Sequence, residues 1–253
     1  MLSKKPWQPE FVLMFLGAIF MGMCLANVVA LALHASHVAG FREPDDFGFL
    51  LCGSLGVQGV VWVLIPVFLR LNETSLRTAF GLDQPGWLKA ILLAAGLIIP
   101  VLPLIWCLQA LSVNSMIRIG WEPENQVAVD MFLHETTPGA RCYLVFFAVV
   151  LAPVAEEFIF RGVLYPFVKQ LGSPRTAFFG VSALFACIHF DAGTLVPLFV
   201  LALLLTWLYE KTDCLLASIT AHSLFNTANV AMLYLLPQIN DALEKSGHGT
   251  LPK

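Results

Sequence analysis

Seven apolar runs alternate with polar connections along the chain. The first, Phe11 to Leu33, follows Lys4 and Lys5. Its length well exceeds the roughly 7–15-residue apolar core of a cleaved signal peptide, so it reads as a retained transmembrane helix. A polar loop, His34 to Asp46, leads into a second run from about Phe47 to Leu69. Arg70 to Trp87 is polar, and Asn72-Glu73-Thr74 within it has the form of a glycosylation sequon. Such triplets arise by chance, and the loop is assigned to the cytoplasmic side, so Asn72 is read as structural. The third run, Leu88 to Leu111, carries Pro100 and Pro103, which remove backbone donors and predict a kink.

The longest polar connection, Ser112 to Arg141, holds Glu122, Glu124, Asp130 and Glu135. Val127, Met131 and Phe132 recur there at helical spacing and predict an amphipathic surface helix over Asn125 to His134. The fourth run starts near Cys142 and continues to about Lys169. The fifth covers about Pro174 to Phe190 and the sixth Thr194 to Tyr209, with only Asp191-Ala192-Gly193 between them. Both are shorter than the roughly 20 residues a span needs, so one is expected to be tilted, broken or buried in protein. The seventh, Leu215 to Leu236, precedes a polar tail ending at Lys253.

Composition turns these runs into a class. Of 253 residues 58% are hydrophobic and only 12% charged, with a mean hydropathy of +0.79. Soluble domains carry roughly 25% charged residues. The expected fold is therefore all-α, a polytopic transmembrane bundle of about seven spans embedded in lipid. A net charge of −3 with no basic block argues against a nucleic-acid partner. The cysteines at 24, 52, 107, 142, 187 and 214 are scattered and never spaced C-x-x-C, so they read as small packing residues, not disulfide or thiolate-metal sites. With the N-terminus inside, Lys4, Lys5, Arg70, Arg77, Lys89, Lys169, Arg175 and Lys211 share the inner side, against Arg42, Arg118, Arg141, Lys245 and Lys253 outside. That bias favours the N-terminus-inside orientation.

The fourth run contains an anomaly, Glu156, Glu157 and Arg161 within LAPVAEEFIFRGVLYPFVK. A charge at bilayer depth costs a few kcal/mol and marks function. Glu157 and Arg161, four apart, share a helical face in the favourable acid-before-base order. Glu156 points about 100° away and lacks that partner. Pro153, just before the pair, opens the helix locally. Two later runs supply candidates. His189 ends the fifth, and His222 and Asn226 lie four apart on one face of the seventh, with Asn229, Ser218, Thr220 and Ser223 nearby. Counted from the flanking polar residues at about 1.5 Å each, Glu156, His189 and His222 sit roughly 14–21 Å from one membrane face.

A carboxylate and two imidazoles can hold and deprotonate a water, directly or through a metal, and an amide can donate to an oxyanion. These ingredients suit hydrolysis of a peptide bond. H-E-x-x-H, G-x-S-x-G and a thiol-based pair are absent, which disfavours serine or cysteine nucleophiles. Taken alone, His189 reads as a helix–helix hydrogen-bonding residue, His222/Asn226 as equally ordinary, Glu157/Arg161 as a structural ion pair and Phe185 as core or pocket wall. His34, His37, His134 and His248 read as solvated. Convergence on Glu156, which has no other explanation, favours chemistry.

The segments Glu156-Glu157-Phe-Ile-Phe-Arg161, Phe185 to His189 and His222 to Asn226 resemble the E-E-x-x-x-R, F-x-x-x-H and H-x-x-x-N motifs of the type II CAAX prenyl protease and bacteriocin-processing (CPBP, or Abi) family. The resemblance implies an intramembrane endopeptidase with a conical polar cavity open to one membrane face. It implies accessory helices and an amphipathic loop over residues 1–139, a catalytic core over 140–236 and a polar tail over 237–253. It implies that Glu156 and His189 activate water, that His222 and Asn226 stabilise the oxyanion, and that Glu157 and Arg161 support them. A metal-free mechanism is expected; zinc, if bound, would take Glu156, His189 and His222 as ligands. The short loops resemble those of prokaryotic members, so the expected setting is the cytoplasmic (inner) membrane. The expected partners are a membrane-associated peptide or protein substrate and the lipid bilayer. From a different class, a non-catalytic transporter, scaffold or immunity protein would use the same cavity for ions or partners, although no inverted repeat is visible.

Overall fold

The computed structural model describes residues 2–43, 46–83, 85–121, 127–134 and 137–245. All regular structure among them is helical. The order is α1 (Pro9–Ala35), α2 (Phe47–Leu71), a single turn at Leu76–Ala79, α3 (Trp87–Arg118), α4 (Val127–His134), α5 (Pro138–Gln170), α6 (Pro174–Cys187), α7 (Leu195–Thr212) and α8 (Leu215–Lys245). Helices close their own backbone hydrogen bonds, as lipid requires. Five of these, α1, α2, α3, α5 and α7, are long and apolar enough to cross a membrane. The protein is an integral membrane protein.

Length and apolarity among the described residues do not confirm the expected count of about seven spans. α6 has only 14 residues, fulfilling the expectation that one of the two short runs is not a full span. α8 is 31 residues long but carries the polar row Ser218, Thr220, His222, Ser223, Asn226 and Asn229. It also continues to Lys245, past the expected end at Leu236, so the segment read as tail begins as helix. The amphipathic helix is present as α4, with Met131 buried. Glu122, Glu124, Asn125, Glu135, His248 and the tail beyond Lys245 lie outside the described residues, as does the His134 side chain. The cysteines depart from expectation: Cys24, Cys107, Cys142 and Cys187 are exposed and Cys214 alone among the six is buried.

α1 and α2 show how lipid-facing helices meet. Leu13, Met14, Phe20, Met21 and Leu25 stand outward on α1. Inward, a Cβ on Gly22 would lie 2.6 Å from Gly56 O, and one on Gly56 would overlap the Ala26 methyl. Small residues let the two backbones approach. Overpacking costs about 1–3 kcal/mol, so Gly56→Leu is expected to lower the thermal midpoint in detergent. Gly53→Leu, with open space at that Cβ, is expected to leave it unchanged.

At one end of the bundle the segments assigned to a common side do meet. Lys5 pairs with Asp213 at 2.7 Å and Lys169 with Glu210 at 2.7 Å. The Tyr165 hydroxyl also donates to Glu210, at 2.9 Å. Asn72 is buried, accepting from Gln8 N at 2.9 Å and donating to Phe68 O at 2.8 Å. Its amide ties α1 to the end of α2, in keeping with the structural reading of that triplet.

Candidate functional site

The helix that carries the charge anomaly is not a uniform α-helix. In α5, π turns at Phe147–Leu151 and Phe158–Leu164 flank the α-helical Ala152–Glu157. Two prolines account for where backbone groups are freed. Ala152 N donates to Phe147 O, leaving Ala148 O without its α-helical donor, and the next residue, Pro153, has no N–H to offer. Pro166 likewise has none for Gly162 O, four residues earlier. Each freed carbonyl is met by a side chain from elsewhere. Asn226 Nδ2 on α8 donates to Ala148 O at 2.7 Å, and Trp7 Nε1 donates to Gly162 O at 2.9 Å. π turns are frequent at functional sites, where they re-aim side chains.

Between the two turns the acids find their partners. Arg161 Nη1 bonds Glu157 Oε1 at 2.9 Å, and both side chains are fully buried. The guanidinium also donates from Nη2 to Ala202 O at 3.1 Å and from Nε to Thr206 Oγ1 at 3.4 Å on α7. Its Cζ lies 4.4 Å from the Phe185 ring centroid. Glu157 Oε1 takes a second bond, from His222 Nδ1 at 2.9 Å. A carboxylate is an acceptor, so Nδ1 carries the hydrogen and Nε2 presents its lone pair. That Nε2 stands 3.8 Å from Glu156 Oε2. Glu156 is partly open, its side chain one-fifth exposed.

His189 Nδ1 meets Phe185 O at 2.7 Å, an acceptor that assigns the hydrogen to Nδ1 and leaves Nε2 free. The imidazoles of His189 and His222 pack on the same phenyl ring, at 4.9 and 5.7 Å between centroids. The structure thus joins Glu156, Glu157, Arg161 and His222 directly, and His189 through Phe185. Asn226 enters through the Ala148 carbonyl. Asn229 faces elsewhere, its Oδ1 accepting from Trp106 Nε1 at 2.9 Å.

Phe185, read as core or pocket wall, is fully buried in the core, and its ring packs against both histidines and the arginine. Sequence reasoning missed Thr206, whose hydroxyl sits alone in an apolar run and is fully buried; such isolation in a span was the available signal. No group of three His, Cys, Asp or Glu residues among the described ones is close enough to hold a metal. Glu157 Oε1 is already shared between Arg161 and His222. The donors as arranged do not fit a zinc centre on Glu156, His189 and His222. An open depression of about 530 Å³ is lined by Leu82, Asp83 and Pro85 to Lys89, and does not include the polar cluster.

Residues 138–228 match the family model of the type II CAAX prenyl endopeptidases, Rce1-like. The segment contains all seven residues of the three motifs, and the resemblance read from them is thereby shown. The chain is also similar to two proteins of Lactococcus lactis subsp. lactis, UPF0177 protein YaiF and UPF0177 protein YxdF. It is 30% identical to the first over 147 residues, covering 56% of this chain and 62% of that protein. It is 28% identical to the second over 88 residues, covering 34% and 48%. The matched part thus spans less than two thirds of either relative. No solved structure matches the chain.

Proposed function

We propose, from a family match that falls on the site-bearing helices, that the protein is an intramembrane endopeptidase cutting a membrane-associated peptide or protein. The observation that carries this reading is the 3.8 Å separation of Glu156 Oε2 and His222 Nε2. It is too long for a direct hydrogen bond and suits a bridging water. Both atoms are acceptors when Nδ1 is held protonated by Glu157, so one water would donate a hydrogen to each. Attack on a carbonyl carbon then passes one proton to this pair, and the pair returns it to the leaving amine.

His222 is aligned for that work by Glu157, and Glu157 by Arg161. His189, half-buried with Nε2 free, approaches the other side of Phe185 and can share the proton or, once charged, donate to the oxyanion. The Asn226 amide has a second hydrogen beyond the one given to Ala148 O, and this hydrogen is its means of reaching an oxyanion. Glu156, Glu157 and Arg161 lie on α5, a helix long and apolar enough to cross lipid, so the substrate would present its scissile bond at the membrane. Placement in a cytoplasmic membrane with the N-terminus inside belongs to the same proposal.

Water activation by these side chains needs no metal ligand set. Purified active protein is therefore expected to keep its activity after exhaustive chelation. Stoichiometric zinc whose removal abolishes activity, and whose return restores it, would overturn that part. The reading as a whole is tested by comparing membrane-associated peptides in cells carrying wild type or Glu156→Ala. Peptides present only with wild type would support cleavage and name the substrate. Identical profiles, with Glu156-dependent uptake of a solute into proteoliposomes, would favour a transporter instead.

A further inference from the structure

The polar site is assembled on residues 138–228, yet its charged turn is held from outside that segment. Arg161 lies within the seven-residue π turn Phe158–Leu164, and the next residue is Gly162. Pro166 denies Gly162 O its α-helical donor. A carbonyl left so, in a buried place, costs free energy unless another donor reaches it. The donor is the indole of Trp7, at 2.9 Å in a buried bond.

Trp7 comes from the segment before α1 and is itself buried. Its ring packs on Phe68 of α2 at 4.9 Å and near Phe80 at 6.1 Å. Phe80 stacks edge-on against Phe158, the first residue of the turn, at 4.8 Å. A Cβ on Gly162 would lie 2.8 Å from the Phe80 ring, so the glycine is what admits it. Phe80 O also accepts from Leu215 N at 3.0 Å, at the start of the helix that carries His222. Residues 2–5 are tied down in turn, Lys5 by Asp213 and Leu2 N by Glu210.

We infer that Trp7 is a positioning residue for the candidate site, its indole N–H holding the Gly162 carbonyl so that Arg161 and Glu157 keep the register that aligns His222. The N-terminal segment is then part of the active assembly and not merely an accessory span leading into lipid. This rests on the proteolytic reading for its functional consequence, but the structural link can be measured without it. The bond, and not the ring alone, is what matters. Two replacements separate them: Trp7→Phe, and Trp7→3-benzothienylalanine, which keeps the bicyclic shape and places sulfur where the N–H was.

Hydrogen exchange in detergent on the full chain is expected to quicken roughly tenfold across residues 158–164 in both variants, with 147–151 little changed. In cells, the yield of peptides that depend on Glu156 is expected to fall at least about fivefold in both. Exchange at 158–164 equal to wild type in the benzothienyl variant would overturn the inference, as packing would then suffice. Faster exchange with full peptide yield would overturn it also, since the turn would not govern the site. If wild type and Glu156→Ala give the same peptides, the proteolytic reading falls, and exchange alone decides whether Trp7 holds the turn.

Discussion

Glu156→Gln is expected to lower peptide cleavage by about 10²–10⁴-fold, the usual worth of a positioned general base. The substitution keeps the shape and a carbonyl oxygen near His222 Nε2, but removes the negative charge that draws a proton from water. Glu156 makes no ion pair with Arg161, and its Oε2 stands 3.8 Å from His222 Nε2. Its side chain is one-fifth exposed, whereas Glu157 is fully buried. Loss of the carboxylate therefore disturbs little packing, and expression, membrane insertion and the detergent unfolding midpoint are expected to match wild type. Rates on the peptide found by the cellular comparison provide the measurement. Cleavage within a few-fold of wild type would remove Glu156 from the chemistry.

The opposite pattern is expected one residue on. Removing one partner of a buried ion pair leaves an uncompensated charge and costs roughly 3–5 kcal/mol, a large share of a protein's stability. Arg161→Ala strands Glu157 with only the imidazole of His222, and also strips the donors from Ala202 O and Thr206. Glu157→Ala strands a fully buried guanidinium. Both are expected to lower the unfolding midpoint sharply and to reduce the folded yield in membranes. Arg161→Lys keeps the charge but not the planar fork, so it cannot serve Glu157, Ala202 and Thr206 together. It is expected to fold better than Arg161→Ala and still cleave poorly. Wild-type stability in Arg161→Ala would show that the pair is not structurally required.

Glu156 and Glu157 are neighbours in sequence with different surroundings, and the proposed function gives them separate duties. One has a side chain one-fifth exposed and, under the proposed mechanism, takes the proton from water. The other is locked into a network of Arg161, His222, Ala202 and Thr206 that gives the imidazole its tautomer. That division was only half legible beforehand. The Glu157–Arg161 pair was read from spacing alone, because residues four apart on one helix meet whatever surrounds them. The candidate partners of Glu156 were His189, His222 and Asn226, of which counting along helices places the two histidines at its depth. Which of the three it would meet was not readable.

The apolar runs, the all-helical class, the anomalous acids and the three motifs are properties of the sequence by itself, since each depends on composition or on spacing within a single helix. The tertiary structure decided what crosses between helices. It set His222 between the two glutamates, turned the Asn226 amide toward Ala148 O, put Phe185 beneath both histidines and brought Trp7 from the far end of the chain to Gly162. The physical reason lies in the fourth apolar run. A helical wheel assumes 3.6 residues per turn throughout, but two π turns around Glu156 and Glu157 change the direction of every side chain after them. Pro153 and Pro166 signal that carbonyls will be freed; only the packed bundle determines which distant donors arrive to claim them.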